Sequence, residues 1–176
     1  IRIYSNDENE EALQDLTVSM SQFNLDKVFS VIPYMPDISG ILDGDFHIIQ
    51  TKDELSVSSN LNIDNMVYEK CPMGDVGTEF VYMPKSDGSH YVDGFLNYEG
   101  EEVATVKGTY KSEGNGYLDA EVGMEKLPLH FVNGFVPDQI MGLKGYGEGK
   151  LSLKGALSQL DVEGEVYLDS AYLVSV

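Results

Sequence analysis

The chain is short of several things, and each shortage excludes a class of protein. It has one cysteine, Cys71, in 176 residues, so an internal disulfide framework and a cysteine-based zinc site are ruled out. It has 11 Lys and Arg against 30 Asp and Glu, a net charge of −19. A polyanion of that strength is repelled by nucleic acid and by anionic membrane surfaces, so no nucleic-acid partner is expected. The longest run without a charge, Leu127 to Pro137, spans 11 residues and includes His, Asn, Gly and two Pro. A bilayer-spanning helix needs about 20 mostly apolar residues, so no transmembrane segment is expected. No Gly-x-Ser-x-Gly, phosphate loop or dinucleotide fingerprint is present.

What is present is apolar and periodic. Hydrophobic residues make up 42% of the chain, too many for a disordered acidic tail, and the length suits one domain over 1–176. Leu55, Val57, Leu61 and Ile63 alternate with polar residues. Leu118, Ala120, Val122 and Met124 repeat the pattern, as do Leu151 and Leu153, then Leu160, Val162, Val166 and Leu168. Alternation with period two is the mark of half-buried antiparallel strands. Breaks at Asp43-Gly44, Ser86-Asp87-Gly88, Glu99-Gly100 and Glu113 to Gly116 read as hairpin turns. The expectation is an all-β fold of ten or eleven strands.

Two stretches depart from period two. Leu25, Val28, Phe29 and Ile32 have helical spacing before Pro33, and Leu129, Val132 and Val136 have it between Pro128 and Pro137. Short helices are expected over 23–32 and 127–136, each plugging the core. The two stretches open an internal repeat. Leu25 matches Leu129 and Pro33 matches Pro137 at an offset of 104. An offset of 105 then matches Gly40 with Gly145, Gly44 with Gly149, Val57 with Val162 and Asp64 with Asp169. Repeat units of about 23–126 and 127–176 follow, the second incomplete. Ile1 to Tyr4 reads as a strand under way and Tyr172 to Val176 as one cut short, so a fragment of a longer chain is expected.

The segment Leu127-Pro-Leu-His-Phe-Val … Pro137 … Leu143-Lys-Gly145 … Gly149-Lys-Leu-Ser-Leu-Lys-Gly155 … Leu160-Asp-Val-Glu-Gly164 resembles the repeat of the TamB family. This is the translocation and assembly module of Gram-negative envelopes, related to AsmA-like proteins. The first copy departs from the pattern at Asn24, Gln50 and Ser59, where the second has Pro128, Gly155 and Gly164. The resemblance implies a curved, U-shaped antiparallel sheet, a β-taco, whose apolar groove serves phospholipid transport and outer-membrane protein assembly. It also implies a periplasmic location, phospholipid acyl chains as ligand, and a TamA-like outer-membrane barrel as partner of the longer chain. The expected groove lining is Phe46, Ile48, Leu55, Val57, Leu61, Ile63, Leu118, Val122, Leu151, Leu153, Leu160, Val162, Val166 and Leu168. The acids Asp43, Asp45, Glu54, Asp64, Glu121, Glu163 and Glu165 would then form an acidic outer face.

Nothing in the residues points to catalysis. His47, His90 and His130 stand apart from one another, and His47 reads as solvent-facing. Cys71 has no general base beside it, and Asp43-Gly-Asp45 lacks the spacing of a calcium loop. Neither an enzyme, nor a metal, nor a cofactor is expected. The alternative reading is a secreted β-sandwich adhesin or carbohydrate-binding module, using Tyr68, Tyr82, Tyr91, Phe95, Tyr98 and Tyr110 as a sugar platform.

Overall fold

A computed structural model describes residues 1–8, 10–29, 36–134 and 141–175. The fold is all-β. Ten antiparallel strands lie in one open sheet in sequence order: β1 (Arg2–Ser5), β2 (Gln14–Asn24), β3 (Ile38–Gln50), β4 (Leu55–Tyr68), β5 (Cys71–Pro84), β6 (Ser89–Tyr98), β7 (Glu101–Lys111), β8 (Tyr117–Pro128), β9 (Met141–Ala156) and β10 (Gln159–Ser175). Two single-turn helices, α1 (Asp26–Phe29) and α2 (His130–Asn133), follow β2 and β8. Turns fall at Gly88, Glu99-Gly100 and Gly116, as the glycine and acid clusters require.

The structure corrects three local expectations. Asp43-Gly44 is not a turn but the middle of β3. Gly44 has φ +144°, and a Cβ there would sit 2.1 Å from the Asn60 carbonyl oxygen, so glycine serves close strand contact rather than reversal. The helical spacing at 23–32 yields only α1, because Phe23 and Asn24 remain paired to Leu42 and Ile41 of β3. The spacing at 127–136 likewise shrinks to α2, because Leu127 and Pro128 pair with Gly147 and Tyr146 of β9. Ile32, Pro33, Val136 and Pro137 lie outside the described residues.

Positions 104 or 105 apart share backbone geometry. The amide of buried Leu25 donates to the Gly40 carbonyl at 3.1 Å, and that of buried Leu129 donates to the Gly145 carbonyl at 2.9 Å. The β2–β3 register shifts between Met20 and Phe23, and the β8–β9 register between Met124 and Leu127. Gln22 and Lys126 take φ +51° and +53°, and Asn65 and Ser170 take +50° and +52°. A Cβ at Gly149 would meet the Glu165 carbonyl oxygen at 2.0 Å, the counterpart of Gly44 against Asn60.

The sheet is open and uncurled, not the U shape expected, and α2 packs over one end of it. Asn133 exchanges two side-chain hydrogen bonds with the Leu143 backbone of β9, at 2.9 and 3.1 Å. A Cβ on the adjacent Gly134 would stand 2.7 Å from the ring of Tyr68 in β4. His130 Nε2 donates to the Met73 carbonyl at 3.1 Å, and Tyr98 meets the rings of His130 and Phe131 edge-on, with centroids 5.4 and 5.5 Å away. Among the described residues this is where most of the buried apolar side chains gather, with Met73, Val76, Val103 and Leu129 all under a tenth exposed.

Candidate functional site

Strand register decides which side chains share a face, because residues directly opposite one another point the same way. Following the pairs across the sheet, Ile3, Val18, Phe46, Ser59, Phe80, Gly94, Val106, Val122, Leu151 and Gly164 form one continuous row over ten strands. Two residues along each strand, a second row holds Leu16, Ile48, Val57, Tyr82, Val92, Ala120, Leu153 and Val162. On the other side a third holds Met20, Leu61, Leu96, Ala104, Met124 and Val166. The period-two alternation has therefore stacked in register, strand on strand, into one apolar face.

All the expected lining residues fall on that face. Phe46, Val122 and Leu151 are in the central row, Ile48, Val57, Leu153 and Val162 in the second, Leu61 and Val166 in the third. Leu55, Leu118 and Leu160 lie one row further out, and Ile63 and Leu168 lie toward α2. They differ in cover. Those on β3, β4, β8 and β9 are half-buried, whereas Val162, Val166 and Leu168 on β10 are 57%, 41% and 60% exposed.

Among the described residues no element covers this face over most of its length. Among the described residues no large side chain is completely enclosed, and the accessible surface is 11817 Å². A compact chain of 19.4 kDa would expose about 8500 Å². In the central row the rings of Phe46 and Phe80 meet at 6.3 Å, edge to face, across the intervening strand. Ser59 lies between them in that row, buried, and its hydroxyl has no hydrogen-bond partner in the described structure.

The opposite face is polar and acidic. One of its rows runs Thr17, His47, Ser58, Val81, Asp93, Lys107, Glu121, Ser152 and Glu163. His47 is on this face, as its alternation with Phe46 and Ile48 requires, and its Nε2 donates to Asp15 at 2.6 Å. A shallow trough of about 640 Å³ opens here over β3 to β6, lined by Asp45, His47, Glu79, Val81, Tyr91, Asp93 and Phe95 among others. The Tyr91 hydroxyl donates to Asp93 at 2.9 Å, and that bond raises the phenol above its ordinary range. Among the described residues no group of three or more His, Cys, Asp or Glu is placed to hold a metal, and no helix is long and apolar enough to cross a membrane.

Five of the expected platform aromatics are divided between the two faces. Tyr82, Tyr98 and Tyr110 are on the apolar face, where the Tyr82 hydroxyl and His90 Nδ1 share a hydrogen bond of 2.8 Å. Tyr98 is packed under α2, where burial raises its phenol above the usual value. Tyr91 and Phe95 look out from the other face. What the sequence reading missed is the trough, because its lining is drawn from four strands whose register no single strand's alternation reveals. Comparison with protein-family models, with curated proteins and with solved structures finds no match for this chain.

Proposed function

We propose that this chain is a non-enzymatic lipid-binding scaffold whose apolar face receives phospholipid acyl chains. The observation that carries the reading is the continuous, partly exposed apolar face running across ten strands in register. Exposed apolar surface of this extent gains free energy by meeting something apolar, at about 0.8 kcal/mol per CH₂ removed from water. An acyl chain fits the chemistry, since the face offers width and apolar contact and almost no polar groups that would require matching. The net charge of −19 directs the choice toward zwitterionic or neutral headgroups held clear of the acidic face.

The TamB-like repeat supports placing this activity in the periplasm of a Gram-negative envelope. There it would serve phospholipid transport and outer-membrane assembly beside a barrel partner. The sugar-platform alternative receives no such support, since its aromatic residues are divided between two faces. Photo-crosslinking with a diazirine-bearing phosphatidylethanolamine tests the reading. Adducts are expected on the native chain and fewer on Val106→Asp, which puts a charge in the middle of the central row at a position 40% exposed. Absence of adducts, or a stable face-to-face dimer that takes up no lipid, overturns it.

A further inference from the structure

Two histidines meet the apolar face in aromatic company, and they are not used alike. At one end His130 Nε2 is spent on the Met73 carbonyl, and its ring packs against Tyr98 and Phe131 at α2. At the other end, beside the β5–β6 and β7–β8 turns, Tyr82, His90 and Tyr110 stand side by side on three central strands. Their ring centroids are 6.0 and 6.3 Å apart, and Tyr82 and His90 are stacked within 11° of parallel. His90 lies directly opposite Tyr110, in a row that continues through Leu118 and Gly155 to Leu160. Neither that row nor the neighbouring one, which holds Tyr82, contains a charged side chain.

The shared hydrogen bond decides what this group offers. A phenol O–H is a stronger acid than an imidazole N–H, and an imidazole nitrogen is a stronger base than a phenol oxygen. The Tyr82 hydroxyl therefore donates to His90 Nδ1 at 2.8 Å, and the ring proton sits on Nε2. Among the described residues neither Nε2–H nor the Tyr110 hydroxyl meets a protein acceptor. The Tyr110 ring lies across Gly116, where a Cβ would stand 2.5 Å from the hydroxyl, so the turn backbone fixes its place. Two donors thus stand together at one margin of an otherwise apolar face. From His90 to Tyr98, at the α2 end of β6, the strand extends about 27 Å at about 3.4 Å per residue. Half of a bilayer's hydrocarbon core is about 15 Å, so acyl chains have room along that length.

We propose that His90 Nε2–H and the Tyr110 hydroxyl bind the phosphodiester of a zwitterionic phospholipid whose acyl chains lie along the strands toward α2. This assignment rests on the lipid-binding reading and adds a headgroup subsite to it. Tyr82 is a positioning residue, holding the imidazole in the tautomer that donates outward. The adjoining turns and strand ends hold Lys85 and Lys111 with Asp87 and Glu113, two charges of each sign, which suits a zwitterion.

Equilibrium binding of phosphatidylethanolamine and of diacylglycerol with the same chains, both delivered in neutral detergent micelles, tests the subsite. The native chain should prefer phosphatidylethanolamine about tenfold. His90→Phe with Tyr110→Phe should abolish the preference while keeping diacylglycerol uptake, which reports an intact face. Tyr91→Phe removes a phenol hydroxyl from the opposite face and should leave the preference unaltered. Should the double variant lose diacylglycerol as well, Tyr110→Phe alone decides, and a preference it leaves unchanged overturns the subsite. Equal affinity of the native chain for the two lipids overturns the subsite and leaves lipid binding standing, whereas uptake of neither overturns both. Displacement of phosphatidylethanolamine by millimolar inorganic phosphate would assign the donors to a free anion and overturn the headgroup assignment. Nitrogen NMR should find the His90 proton on Nε2, with mixed tautomers in Tyr82→Phe; a proton on Nδ1 of the native chain overturns the proposal.

Discussion

The unit β2-α1-β3-β4 and the unit β8-α2-β9-β10 share register shifts, left-handed residues and a Leu-to-Gly hydrogen bond, yet one is flanked and the other forms an edge. Val57, Leu61 and Ile63 are half-buried, while Val162, Val166 and Leu168 at the matching positions are exposed. The alternation is the same, so alternation alone does not bury a side chain. Burial on this sheet comes from neighbours on both sides, and the local backbone is set independently of them.

The largest test of that separation is at the glycines. Gly44→Ala puts a Cβ against the Asn60 carbonyl at a φ that L-residues avoid, and should cost about 3 kcal/mol by urea unfolding. Gly149→Ala meets the same contact at Glu165, but among the described residues β10 is paired on one side only and can shift away. It should cost roughly half as much. Equal losses would show that the edge strand is held as firmly as the central one.

A second pair sharpens the role of flanking. Val57→Asp brings a charge onto a half-buried row and should cost about 2 kcal/mol. Val162→Asp, at a matching position 57% exposed, should stay within about 0.5 kcal/mol of the native chain. If the two variants melt alike, the β10 side chains are covered in solution.

Much of this was legible in the residues. Period two in β4, β8 and β10 placed Leu61, Val122 and Val162 on one face, and the Leu25/Leu129 and Gly40/Gly145 matches pointed to a repeated unit, whose shared hydrogen bond only the structure shows. The lengths of the helices were not legible. Leu25 and Leu129 have helical spacing to their successors, but pairing of the preceding residues to β3 and β9 overrides it. Gly44 misled because glycine marks a turn and a close strand approach by the same lack of Cβ. The site's extent depended on register between ten strands, which no one strand encodes.

Smaller effects probe single differences between the units. Ser59 and Gly164 occupy matching positions, and the Ser59 hydroxyl is buried without a partner. Ser59→Ala should gain about 1 kcal/mol, and a loss would mean that the hydroxyl is used. Around α2, burial raises the Tyr98 phenol, so the folded value lies above the unfolded one. The packing it contributes is complete below the ordinary tyrosine pKa of about 10 and is lost as pH rises through the folded value. Ultraviolet titration of the phenolates should show a late component, shared with Tyr91, that Tyr98→Phe reduces; a late component unchanged by that substitution would place Tyr98 in solvent.

The central claim is that the apolar face is open and takes acyl chains. Peptide mapping of the chain after crosslinking to a phosphatidylethanolamine with a diazirine in its acyl tail measures it most directly. The account predicts adducts on the shared row, at Phe46, Val106, Val122 and Leu151, with few at Asp93, Lys107 or Glu121 of the opposite face. Adducts spread evenly over both faces, or confined to the acidic one, would contradict it.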